Sequence, residues 1–218
     1  MHEELKQFGF TVITVALDAN PEDVRPWIEA AAPTHPSLID RRRLVADLYN
    51  MVNVPTVLWI DEEGRIVRPN DVAFPDDTFR NFTGLEAAAH LEALRAWVRE
   101  GRRPFTVEQI HELQVVPSAS DQEARAEFGL GLWLYEQGRS EAADRHFVRA
   151  GELAPHNFTI RRGALRLRGL DPFGPVFKEM VRAWRAEGHT YYRPLRPAGS
   201  PRDGGGSRAG RDPADGAP

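Results

Sequence analysis

Residues Asn50–Val67, "NMVNVPTVLWIDEEGRIV", decide how the rest of this chain is read. Pro55 opens a β-branched and apolar run, and an acidic turn closed by Gly64 reverses it. Thr56–Ile60 reads as a strand, "DEEG" as the turn and "RIVRP" as the return. Thr56–Pro69 is therefore expected to form a β-hairpin.

Working outward toward the N-terminus, "FTVITVALD" (Phe10–Asp18) reads as a buried strand running into a helix. Pro21 with Glu22 and Asp23 suits that helix's first turn. Val24, Trp27, Ile28 and Ala31 fall on one face. "PSLID" is a short extended piece, and Leu44, Val45, Leu48 and Val52 stand at helical spacing.

Toward the C-terminus, "NDVAFPDDTFRNFTG" has the length and polarity of a functional or covering loop. "LEAAAHLEALRAWVREG" reads as a strong helix ending at Gly101. Its Trp97 is the aromatic best placed to meet Trp59. The second half is helical: "SDQEARAEFGLGLWLYEQG" capped by Ser120 or Asp121, then "SEAADRHFVRAGELAPHN" after a break at Gly138, then two more helices. From about Arg196 the chain is nearly devoid of apolar residues, so a disordered tail is expected.

Composition excludes several functions. The 218 residues carry a net charge of -4, so no global basicity points to nucleic acid. No apolar run approaches the roughly 18 residues needed to span a bilayer. The start "MHEELKQFGF" lacks the basic and apolar regions of a signal peptide, which makes cytoplasmic localisation the expectation. The chain has no cysteine, so it holds no disulfide, thiolate metal site or thiol nucleophile.

The order strand, helix, helix, "NVPT", hairpin, helix resembles the second half of a thioredoxin-like domain. The phrases "ELKQFGFTVITVALD" and "LVADLYNMVNVPTVLWIDEEGRIV" are most similar to the TlpA-like and redoxin (AhpC/TSA) branch of thiol-disulfide oxidoreductases. The similarity covers roughly residues 3–100. It implies a cis-proline at Pro55 and a substrate-binding edge at Val54, Pro55 and Thr56, where an extended peptide would pair with the Val54 backbone. It implies redox homeostasis as the setting.

The departure from that pattern is large. The family's first strand and Cys-x-x-Cys helix would precede residue 1, and that strand would lie between Phe10–Asp18 and Thr56–Ile60. Three readings stay open: a chain begun late, two strands that close up and pair directly, or a strand supplied by a partner or second copy. The resemblance implies a helix over residues 1–8 and requires both strands in one sheet, and separate sheets would count decisively against it.

Ala124–Asn157 resembles one tetratricopeptide (TPR) unit of 34 residues. Leu130-Gly131, Ala143, Phe147, Ala150 and Pro155 stand at its pattern positions. Gly131 and Ala143 would let two helix backbones approach, Phe147 would fill the space, and Pro155 would stop the second helix. Glu127 and Leu134 depart from the repeat's aromatic positions. One repeat cannot bury its own face, so these helices are expected to pack on one another and on the α/β part.

The fold class expected is thus α/β: an incomplete thioredoxin-like sheet with helices over 1–103, an all-α TPR-like segment over 104–192, and a disordered tail over 193–218. Two functions follow. One is a thiol-disulfide oxidoreductase whose reacting part is absent, inactive alone. The other is a cysteine-free protein-interaction module using the Pro55 edge and the TPR-like helices. Whether the chain is an enzyme is left open.

Other polar groups read blandly. Asp61–Glu63 suits a polar hairpin tip better than a catalytic carboxylate pair. His2, His35, His90, His111, His146, His156 and His189 match no metal-ligand spacing, and no cofactor is expected. Arg41–Arg43 and the set Arg161, Arg162, Arg166, Arg168 are local basic clusters; the second set recurs at near-helical spacing and could bind an acidic peptide or RNA, but a solvated helix face is the simpler reading. The five tryptophans are taken as core. A protein or peptide partner is the partner class expected.

Overall fold

The computed structural model describes residues 1–72, 76–78, 80, 86–192 and 195. Most of the loop between the hairpin and the following helix, and the tail beyond Arg196, lie outside the described residues. The chain divides into two compact units, one of Met1–Val54 with Val115–His189, the other of Pro55–Gln114 with the segment from Thr190. This partition is drawn differently from the expected division at residue 103.

In the first unit, helix α1 (His2–Leu5) continues as a 3-10 turn to Phe8, as expected for residues 1–8. Gly9 ends it in the left-handed region (φ 79°). Strand β1 (Thr14–Ala16), helix α2 (Pro21–Ala31) and strand β2 (Ser37–Ile39) follow, then a short helix α3 (Leu44–Leu48). β1 and β2 pair in parallel, Val15 opposite Leu38. Asn20 caps α2 by accepting from Glu22 N at 3.2 Å.

The long buried strand expected over Phe10–Asp18 shrinks to three residues, with Ile13 and Leu38 exposed. A strand needs neighbours to be buried, and among the described residues β1 is bonded to β2 alone. The core assignment fails for two of the tryptophans, Trp27 on α2 (78% exposed) and Trp133 (52% exposed), and on α3 both Leu44 and Leu48 are exposed. α3 instead buries Ala46, because a five-residue helix has room for one inward position.

The rest of this unit is helical: α6 (Ala119–Glu136), α7 (Ser140–Leu153), α8 (Phe158–Leu167) and α9 (Pro175–Ala186). α6 begins one turn earlier than expected. Ser118 is its cap, accepting from Asp121 N at 3.1 Å while Asp121 accepts from Ser118 N at 2.7 Å. Gly138 turns the chain at φ 72° between α6 and α7.

These two helices meet at Gly131. A Cβ there would lie 2.8 Å from the Phe147 ring and 3.3 Å from the Ala143 carbonyl oxygen. Ala124, Phe128, Leu132, Ala143, Phe147, Ala150, Ile160 and Ala164 form the dry core between α6, α7 and α8. The close approach expected from Gly131 and Ala143 is present, and Phe147 fills it. α7 stops at Leu153, two residues before Pro155.

In the second unit, β3 (Val57–Ile60) and β4 (Ile66–Asp71) form the antiparallel hairpin, one residue shorter at its start than expected. α4 (Ala87–Glu100) ends at Gly101, φ 69°, and α5 (Val107–Leu113) packs near β4. Trp59 and Trp97 do meet, stacked at 5.3 Å and 11°. Arg68 lies over both Trp59 and Phe105.

β1 and β3 belong to separate two-stranded sheets. The expectation that Phe10–Asp18 and Thr56–Ile60 share a sheet is overturned, and with it the reading in which the two strands close up and pair. No helix among the described residues is long and apolar enough to cross a membrane.

Candidate binding cleft

A cavity of about 160 Å³ opens in the first unit, walled by the end of β1, the loop before α3, and helices α6 and α8. Phe128, Leu132 and Phe158 supply buried apolar wall, while Phe173 closes one side and stays exposed. Gly163 of α8 faces the space without a side chain; its Cβ would sit 3.8 Å from Phe128 Cζ.

The polar lining has a definite order. Asp40 accepts from the backbone N–H groups of Leu44, Val45 and Ala46 at 2.8, 2.8 and 3.1 Å. It thereby satisfies the open N-terminus of α3, whose own cap position, Arg43, is left-handed at φ 61° and offers no side-chain acceptor.

Arg43 turns inward and is 7% exposed. Its guanidinium donates to Thr159 Oγ1 at 2.8 Å and to Asp47 at 3.3 Å. Burial pulls the Arg43 pKa below the usual arginine value and pushes Asp47 up, against their mutual attraction. Thr159 Oγ1 also lies 2.9 Å from Met51 O and 2.7 Å from Asn157 Oδ1, and its single proton serves one of them at a time. These contacts fasten the α3 loop to the start of α8. Phe158 N adds a bond to Val52 O at 2.8 Å.

Arg166 spans Asp18 and Asp23, each at 3.3 Å, and burial raises the Asp18 pKa despite that arginine. The other two arginines at the cleft differ. Arg41 donates only to Ala19 O at 3.2 Å, and Arg162 stacks on Phe173 at 4.3 Å and Phe177 at 5.4 Å. Neither forms an ion pair with a described acid. The lining thus holds four arginines and two aspartates, with both aspartates already engaged.

Members of both basic clusters of the sequence, Arg41 and Arg43 from the first and Arg162 and Arg166 from the second, therefore converge on one cleft. Their remote members go elsewhere: Arg161 donates to Pro155 O and Arg168 pairs with Asp144.

The residues assigned by resemblance divide. Val54 lines the cleft and is half-buried. Its N–H donates to Asn53 Oδ1 at 2.9 Å, so a peptide pairing there must displace that bond. Pro55 is an exposed bend and Thr56 precedes β3 in the second unit.

Asp61 is a hairpin organiser. Its carboxylate accepts from Arg65 N at 2.9 Å, Arg65 Nε at 3.0 Å and Arg103 at 2.9 Å. Burial would raise its pKa, but these donors and charges hold it below the ordinary carboxylate value. Among the described residues no group of three or more histidines and carboxylates is placed to hold a metal ion. Family models, curated proteins and solved structures yield no match to this chain.

Sequence reasoning missed the cleft because its walls come from segments far apart. The Arg43–Thr159 bond joins residues 116 apart in the chain. The available signal was composition: two arginine clusters and a glycine in a helix otherwise suited to larger residues.

Proposed function

We propose that this chain is a binding module without thiol chemistry of its own, and that the cleft beside Val54 is where its ligand sits. The observation that carries this reading is the cleft's polar lining, in which Arg41 and Arg162 face a half-apolar cavity without acidic partners among the described residues. Concave sites with an apolar wall and a few placed polar groups are the usual form of a binding site.

The test is a selection from a library of displayed random octapeptides against the full chain and against Gly163→Leu. The leucine fills the cleft from an exposed helix position where glycine is a poor helix former. Enrichment on the natural chain and loss on the variant is expected. Equal enrichment on both would remove the cleft from the account.

A second reading keeps the thioredoxin-like resemblance. It is favoured by the element order β1, α2, α3, then Pro55, the hairpin and α4, which is the order that resemblance implies. The separate sheets stand against it. In this reading the chain is the substrate-holding part of an oxidoreductase whose cysteines lie elsewhere. Insulin reduction with dithiothreitol should show no acceleration by this chain. Reading the genomic sequence upstream of Met1 for an in-frame Trp-x-x-Cys-x-x-Cys-like segment decides between the two.

A further inference from the structure

The cleft carries chemical information about its occupant. At about 160 Å³ it is smaller than the roughly 300–1,000 Å³ of sites that enclose a whole small molecule. It suits one side chain of something larger. Its wall is aromatic and aliphatic, so that side chain is apolar. Beside the wall stand two planar guanidinium groups without acidic partners among the described residues, Arg41 and Arg162, while Arg43 and Arg166 are already paired with Asp47 and Asp18. A guanidinium fork matches a carboxylate through two parallel hydrogen bonds.

We propose that the occupant is an acidic–apolar peptide segment of a partner protein, with a leucine- or phenylalanine-sized side chain in the cleft and flanking Asp or Glu carboxylates on Arg41 and Arg162. The inference rests on the cleft being a binding site, as proposed above. A nucleic acid fits less well. Its phosphates need a continuous basic track, whereas Asp18 and Asp40 interrupt this lining and the chain is net acidic.

The experiment is fluorescence anisotropy on the full chain with four labelled probes. They are a peptide with a Glu-Leu-Glu-Phe core, its Gln-Leu-Gln-Phe and Glu-Ser-Glu-Ser counterparts, and a ten-nucleotide oligouridylate. The first peptide is expected to bind, and each counterpart to bind at least ~10-fold more weakly. The double variant Arg41→Gln/Arg162→Gln should lose a similar factor for Glu-Leu-Glu-Phe and leave Gln-Leu-Gln-Phe unchanged. Arg162→Lys should recover part of the loss, with thermal melts confirming that each variant folds.

Equal binding of the acidic and neutral peptides would overturn the ligand class while leaving the cleft as a site. Binding of Glu-Leu-Glu-Phe that Gly163→Leu does not weaken would overturn the site itself, as would no binding by either leucine-containing peptide. Tighter binding of oligouridylate, lost in the arginine double variant, would replace the peptide with RNA.

Discussion

The α6–α7–α8 stack and the β1–β2 sheet belong to the same unit and bury their side chains very differently. The helices close their backbone hydrogen bonds locally and then press apolar faces together until Gly131 touches the Phe147 ring. Around the two-stranded sheet Ile13 and Leu38 stay in water, as do Trp27 and Leu48 of the helices that follow each strand. Stability in this unit therefore resides in the helices. The thin α/β part is held to them by polar fasteners, chiefly the bonds of Thr159 to Arg43 and Met51 O and of Phe158 N to Val52 O, and the cleft opens at that junction.

The largest test of the contrast is Phe147→Ala. Removing a fully enclosed aromatic leaves a cavity, and the cost expected is about 3–5 kcal/mol, read by urea denaturation. A change below about 1 kcal/mol would mean that the helical core is not where stability lies.

The second sheet sharpens the comparison, because α4 covers it with Trp97 on Trp59. His90 packs edge-on to Trp59 at 5.3 Å. Burial, aided by the Arg68 charge and opposed by Asp71, lowers its pKa to about 4. The unfolded chain takes up a proton at the ordinary histidine value near 6.5, before the folded chain does. Stability present above pH 6.5 is therefore lost as pH falls from 6.5 toward 4. His90 is partly open to solvent, so the loss attributable to it is about 2 kcal/mol. His90→Phe should flatten that part of the pH–stability curve; an unchanged slope would contradict it.

Thr159→Val tests the fastener. It removes the acceptor for the Arg43 guanidinium and should cost about 1–2 kcal/mol. Hydrogen exchange in residues 40–48 should rise more than in α6 and α7. Uniform acceleration would mean that the α/β part and the helices open together.

The smallest effect is expected at the bare surface. Trp27→Ser should change stability by no more than about 0.5 kcal/mol. A larger loss would show that this tryptophan is covered in solution.

The contrast also marks what the sequence could and could not reveal. Helices α4 and α6 to α9 were legible from periodicity and from Gly101, Gly138 and Pro155, which act within a turn or two of chain. Trp59 on Trp97 was legible because hairpin and helix are neighbours in sequence. The Gly131–Phe147 contact followed from repeat spacing. The partners of β1 were not legible, since an apolar run states that a strand wants cover and not whether cover exists. Trp27, Leu44 and Leu48 look like core by type and are exposed for that reason. Arg43 reads as one of three surface arginines, yet a left-handed backbone and the distant Thr159 turn it inward. Val54 was reached by resemblance as a substrate edge and lies instead along the cleft wall.

The proposed function requires ligand to be held in this cleft and not on the outer helical surface. The most direct measurement is amide chemical-shift mapping with the Glu-Leu-Glu-Phe peptide on the isotopically labelled full chain. The shifts predicted to move are those of Arg41, Val54, Arg162, Gly163 and Leu167. Shifts confined to the exposed positions Leu130, Trp133, Tyr135 and Val148 would contradict it and place binding on the helical face.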